Sequence, residues 1–166
     1  SVMVFALWRS TQRTEVDIDE QGEFVVMAAS PLSVSLNQNV NLAEIKAAGN
    51  KDAEWKFDVD IIEPLQYTQY DGEKEQRYDW HVDHRIDEVE ESIRKLSFTI
   101  LLDGEFEGGE FETENGAPDK LDRIQAATLN KGDMIVFPSY VYHQVKPVTK
   151  GIRYSLVGWI HGPQWH

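Results

Sequence analysis

Short runs in which every second residue is apolar dominate the chain, and a period of two belongs to β-strands rather than helices. Lys95 to Leu102 is the cleanest case: Leu96, Phe98, Ile100 and Leu102 fall on one face, Ser97, Thr99 and Leu101 on the other. Trp55, Phe57, Val59 and Ile61 alternate in the same way, so Glu54 to Tyr70 reads as mostly strand, interrupted at Pro64. Val2 to Trp8 and Phe24 to Ala29 are apolar runs that read as strands, and Thr14 to Asp19 reads as a half-exposed one. Val34 and Leu36 extend the pattern. Ala126 to Leu129, Met134 to Phe137, Tyr142 to Val145 and Ile152 to Ile160 complete it. Turns are expected at Gln21-Gly22, Asp71-Gly72, Asp103-Gly104 and Lys131-Gly132-Asp133, with a break at Pro138-Ser139. Gly108-Gly109 permits a bulge or a close backbone approach. The one helical candidate starts at Asn41 as cap and runs through Ala48 to Gly49-Asn50. Asp87 to Arg94 reads as an exposed charged loop, and Glu112 to Asp122 as a polar, mobile one. Many short strands with little helix predict a mainly β antiparallel sandwich or barrel.

A chain of 166 residues suits one domain, 1–166, with no internal repeat or linker. Its formal charge of −13 repels phosphates, so neither nucleic acid nor an anionic membrane is expected as partner. The absence of cysteine removes disulfides and thiolate metal sites and fits a cytoplasmic chain. No apolar run approaches membrane-spanning length, and Val2 to Trp8 is too short for a signal peptide.

The chemistry starts at Tyr78-Asp79-Trp80-His81-Val82-Asp83. On a strand, His81 and Asp83 point the same way and Trp80 and Val82 the other. With one more histidine they form a two-His-one-carboxylate set, which leaves coordination positions open and suits non-heme Fe(II). His143 follows the Met134 to Phe137 strand, and ten residues later comes Arg153, sharing a strand face with Ser155, Val157 and Trp159. An unpaired buried guanidinium is costly, and its planar fork matches a carboxylate. The partner is either a carboxylate of the protein or that of a bound oxo-acid.

These residues together resemble a known family. Tyr70-Asp-Gly, Tyr78-x-x-His81-x-Asp83, Gly108-Gly-Glu110, Lys131-Gly-Asp133, His143 with Pro147-Val148, Gly151, Arg153 and Trp159-Ile-His161 look like the iron- and 2-oxoglutarate-dependent dioxygenases. Within them the resemblance is to the prolyl 4-hydroxylases and their bacterial PKHD-type relatives, over Tyr67 to His161. The resemblance implies a double-stranded β-helix, a cupin-like jelly roll, with a catalytic core at about 54–162. It places His81, Asp83 and His143 on the Fe(II) positions and Arg153 on the residue that pairs with the distal carboxylate of 2-oxoglutarate. Tyr70 falls on a tyrosine that hydrogen-bonds this cosubstrate, with one extra residue before the His-x-Asp; Tyr78 and Trp159 fall on aromatic positions lining the pocket. Leu101 and Phe111 depart from the tyrosine and threonine that some relatives carry, and Thr99 is expected to compensate.

The implied activity is hydroxylation of an unactivated C–H bond with O2, releasing succinate and CO2, with ascorbate as a stimulant. A peptidyl proline is the first expected substrate, a free amino acid or other small molecule the second, and a non-catalytic jelly-roll binding module the competing reading. A zinc hydrolase would leave Arg153 unexplained. His84 is expected to face solvent, His161 to pack near the sheet end, and one of Tyr140 and Tyr142 to line the mouth. Trp80 is an even choice between packing and a substrate wall.

Overall fold

The computed structural model describes residues 6–8, 14–18, 24–28, 87 and 103 as backbone, and 56–86, 91–102, 105–114 and 119–164 in fuller detail. The helix expected at Asn41 to Ala48 and the extension at Val34 and Leu36 lie outside the described residues. Among the described residues every regular element is a strand, apart from one 3-10 turn at Gly72–Lys74 capped by the side chain of Asp71.

The larger sheet is built on β14 (Val148–Pro163) and β8 (Ser92–Asp103), which pair antiparallel over most of their length. Beyond β8 lie β12 (Met134–Pro138) and then β1 (Ala6–Trp8). β14 also carries β4 (Ile61–Ile62), β5 (Gln66–Asp71) and β9 (Phe106–Gly108), while β7 (Ile86–Asp87) adds to β8. The smaller sheet has the order β11 (Ile124–Ala127), β10 (Phe111–Glu114), β13 (Tyr142–Val145) and β6 (Tyr78–His81). A separate hairpin pairs β2 (Thr14–Ile18) with β3 (Phe24–Ala28).

The larger sheet is buried on both faces, and β8 shows why its alternation reads so cleanly. Leu96 and Phe98 join Val59, Val136 and Ile160 in a core on the outer face, closed by Phe57, Ile62 and Leu65. On the inner face, Ile135 and Phe137 meet Phe111, Ala127 and Val141 between the two sheets. Each such side chain contributes roughly 1.5–3 kcal/mol of burial. Two antiparallel sheets enclosing a mouth lined by alternate side chains make the jelly roll, a double-stranded β-helix.

Several boundaries move. Ser92 and Ile93 are buried on β8, so the exposed loop expected up to Arg94 ends earlier. Residues 111–114 form β10 with Thr113 fully buried, because Phe111 and Thr113 face the core while Glu112 and Glu114 face out. Among the described residues of the expected strand from Glu54 to Tyr70, only β4 and β5 are strands; Val59 still reaches the outer core without joining a ladder. Gly108 and Gly109 adopt φ of 76° and 66°. A Cβ on Gly108 would sit 2.3 Å from the Pro147 carbonyl oxygen, so the expected close approach is there.

Candidate active site

β6 and β13 lie side by side in the smaller sheet, with His81 directly opposite His143. The ladder ends at His81, so Asp83 is not placed by strand alternation. Its backbone N–H instead donates to the Ser139 carbonyl at 2.9 Å, which returns the chain to the site from the end of β12. The expected convergence therefore stands for a different reason. One ligand atom each from His81, Asp83 and His143 lies within 4.8 Å of the others.

The two imidazoles are locked in the same sense. His81 Nδ1 lies 2.7 Å from the Asp79 carbonyl and His143 Nδ1 2.8 Å from that of Val141. A carbonyl accepts only, so Nδ1 carries the proton and Nε2 keeps its lone pair for the centre. His81 Nε2 stands 3.3 Å from Asp83 Oδ1, and His143 Nε2 stands 3.5 Å from Oδ2. Phe137 and Phe111 flank the His143 ring, and burial lowers its pKa against the opposing pull of Asp83, which favours the neutral ring a metal needs. Burial alone would raise Asp83, but the side chains beside it, His81 and His143 first, outweigh burial and lower it to about 2. The buried Trp159 indole N–H has no hydrogen-bond partner among the described residues.

β14 and β5 bring Arg153 directly opposite Tyr70. The side chains of both open into one cavity of about 110 Å³ together with His81, Asp83 and His143; Thr68, Thr99, Ser155 and Trp159 also line it. Arg153 is 2% exposed. Its Nη1 donates to Ser155 Oγ at 2.8 Å, that hydroxyl meets Thr68 Oγ1 at 2.6 Å, and Nε has no partner. Burial lowers the guanidinium to about 10, with Tyr70 opposing, and among the described residues no carboxylate pairs with it. Burial likewise raises the Tyr70 phenol. Gly109 leaves room for this side chain: a Cβ there would lie 3.0 Å from Arg153 Cδ.

Outside the ligands, a wider groove of about 620 Å³ opens past Pro64, Tyr78, Val82, His84, Arg85 and Trp159. His84 is exposed there, as expected. Leu101 lies outside the 110 Å³ cavity and lines a separate space of about 440 Å³ beyond Arg153. Trp80 packs on Tyr142, rings stacked 5.2 Å apart, and neither Tyr140 nor Tyr142 lines the cavity or the groove, contrary to expectation. His161 is buried at the sheet end, bonded to Ser92 and Glu63. Glu63, Arg94, Ser139 and Thr68 also shape this region and carry no motif in the sequence. A charged pair at Glu63 and Arg94, far apart in sequence, leaves no local signal; inward serines in apolar strands do leave one.

A profile of the 2OG-Fe(II) oxygenase superfamily matches residues 65–161. A PKHD-type hydroxylase of Idiomarina loihiensis is 31% identical over 103 residues, 60% of this chain and 45% of the relative. The chain thus spans about half the length of that curated relative. Solved structures share the fold. A Pseudomonas putida prolyl-4-hydroxylase superposes with TM-score 0.53 at 22% identity, covering 72% of this chain and 62% of the other. A Trichoplax adhaerens prolyl hydroxylase, in complex with a hypoxia inducible factor oxygen degradation domain peptide fragment, gives 0.55 at 15% identity, covering 74% and 54%.

Proposed function

Since the chain belongs to the 2OG-Fe(II) oxygenase superfamily, we propose that it hydroxylates an unactivated C–H bond, in a peptidyl proline, at the expense of 2-oxoglutarate and O2. The observation that carries this reading is one cavity lined both by three converging metal-ligand side chains and by a buried guanidinium with an unpartnered Nε. The donor set fits Fe(II): two neutral imidazoles with Nε2 turned inward and one ionised carboxylate, with no thiolate. His81, Asp83 and His143 would hold the ion. The ion would supply the oxygen activation that a C–H bond without an acidic proton demands.

The remaining work belongs to the chain. Arg153 binds the distal carboxylate of 2-oxoglutarate through the edge that Ser155 leaves free, and Tyr70 hydrogen-bonds the same cosubstrate. Thr99 adds a hydroxyl to the cavity wall. Phe111, Phe137 and Val157 keep bulk water from the reacting end. Binding of this kind fixes orientation, which accounts for much of the acceleration such a site provides.

The groove beside the ligands favours a peptide over a free amino acid. It is open along the segment from Val82 to Arg85, which suits a chain laid across it, whereas small ligands are held in enclosing pockets. Two relatives above are named prolyl hydroxylases, one of them with a peptide bound. The test is succinate formation with Fe(II), 2-oxoglutarate and ascorbate over a panel of proline-containing peptides and free amino acids. Turnover is expected with peptides and is abolished in His81→Ala. Turnover confined to free amino acids would replace the substrate assignment, and metal-dependent activity returning with zinc alone would replace the reaction.

A further inference from the structure

Behind the active site lies a second, larger space of about 440 Å³. Its floor is buried and mainly apolar, with Leu101, Phe111 and Ala127, and its rim is exposed, with Thr128 and Asn130. Arg153 and Phe111 line both this space and the 110 Å³ cavity, so they form the partition between the two. None of His81, Asp83 and His143 lines it. Its size suits a small molecule, since ligand sites run to about 300–1,000 Å³.

Arg153 is the one buried charge among the residues lining this space. Its Nη1 donates to Ser155 Oγ at 2.8 Å on the active-site side, where Ser155 lines the smaller cavity. Its stem runs against the wall of the larger space: a Cβ on Gly109, part of that wall, would lie 3.0 Å from Arg153 Cδ. Nε is the atom bonded to Cδ, and it is the nitrogen left without a partner. A buried cationic N–H without an acceptor is costly, and a carboxylate placed there relieves it. At the rim one acid, Glu110, and one base, Lys131, offset each other in formal charge. The guanidinium therefore sets the sign of the ligand, and the apolar floor sets the character of its body.

We propose that this space is a second ligand site, for a small monocarboxylate with an apolar body, and that its occupant competes with 2-oxoglutarate for the free edge of Arg153. The carboxylate meets the guanidinium at Nε, and the apolar body lies between Leu101, Phe106 and Leu129. Such a ligand opposes the cosubstrate without touching His81, Asp83 or His143. The site stands on the cavity and on Arg153; the competition rests on the reading of Arg153 as the partner of 2-oxoglutarate.

The test is calorimetric titration of the full, metal-free chain with hexanoate, with 1-hexanol as the uncharged control. Titrations of the Mn(II)-loaded chain with 2-oxoglutarate follow, with and without hexanoate. Hexanoate is expected to bind about 10–100-fold more tightly than hexanol, the worth of a hydrogen bond to a charged group. Thr128→Trp, which turns an indole from the exposed rim into the space, should lose hexanoate and leave 2-oxoglutarate affinity unchanged. Asn130→Trp fills the same space from the neighbouring rim position and serves if the first variant does not fold. Arg153→Met should lose hexanoate as well. Hexanoate should raise the apparent Kd for 2-oxoglutarate in the wild type and not in the tryptophan variants. No hexanoate binding, equal affinity for hexanol, or binding that survives Arg153→Met or the tryptophan variants overturns the proposal. Hexanoate binding that tryptophan removes, with 2-oxoglutarate affinity untouched by hexanoate, separates the two readings. The site then stands, and the competition falls together with the assignment of Arg153 to the cosubstrate.

Discussion

Arg153 concentrates the residue-scale argument, because a buried cation without a counter-charge has a thermodynamic signature of its own. Its environment lowers its pKa through burial, and a serine hydroxyl is its one hydrogen-bond partner among the described residues. Such a group destabilises the empty protein and is compensated only when an anion arrives. Arg153→Met should therefore raise the melting point of the metal-free protein by roughly 2–4 °C, the equivalent of about 1 kcal/mol. The same variant should lose 2-oxoglutarate affinity about 10- to 100-fold, since a hydrogen bond to a charged group is worth roughly 1.5–3 kcal/mol. Thermal melts and a cosubstrate titration check both halves. A variant less stable than the wild type with unchanged 2-oxoglutarate affinity would make Arg153 a structural residue. The sequence made this residue conspicuous for the same reason: a lone guanidinium inside an apolar strand face has few bland explanations. Tyr70 was harder to read, and only the register of β5 on β14 places it opposite Arg153.

At the scale of elements, the end of β14 is fastened by a charged cluster. Arg94 on β8 grips Glu63 with two hydrogen bonds of 2.6 and 2.7 Å, and His161 bonds the same carboxylate. The guanidinium also lies 4.1 Å over the Trp159 ring, which walls both the cavity and the groove. Burial by itself would raise the Glu63 carboxyl, but Arg94 and His161 outweigh it and the net shift is downward. A carboxyl with a folded pKa below its unfolded one stabilises the protein above the unfolded value and ceases to as pH falls through the folded value. The melting-point advantage of wild type over Glu63→Gln should therefore be full at about pH 6 and shrink as pH falls below about 4.5. A gap that stays constant over that range would show that Glu63 acts by packing rather than charge. Of this cluster only the packing of His161 at the sheet end was legible beforehand; Glu63 and Arg94 were not, because they are joined by strand pairing and not by local pattern. β8, β12 and β13 were legible nearly to the residue, because one face of each meets a core and the other a site or a second core. The start of β8 was not, because Ser92 and Arg94 are polar in sequence yet satisfied by His161 and Glu63.

For the whole molecule, the decisive arrangement is the division of the site between its sheets. His81 and His143 come from the smaller sheet, Arg153 and Tyr70 from the larger, and Asp83 from a loop pinned at the end of β12 in the larger sheet. On the proposed assignment a metal ion alone would engage the first group and the loop, and a dicarboxylate alone would engage Arg153. Only the two together bridge the sheets. The chain's charge of −13 adds to this, since a bound divalent cation supplies the local attraction that an acidic surface denies a dianion. Metal and 2-oxoglutarate should thus bind with positive coupling, and coupling of this kind is reciprocal. We expect Mn(II), as a redox-silent stand-in, to tighten 2-oxoglutarate binding at least about tenfold, and 2-oxoglutarate to tighten Mn(II) by the same factor. Calorimetric titrations in both orders measure it. Identical 2-oxoglutarate affinity with and without metal would detach the oxo-acid from the ligand set. It would then belong on the far side of Arg153, where the 440 Å³ space lined by Leu101, Phe106 and Leu129 offers the guanidinium a second approach.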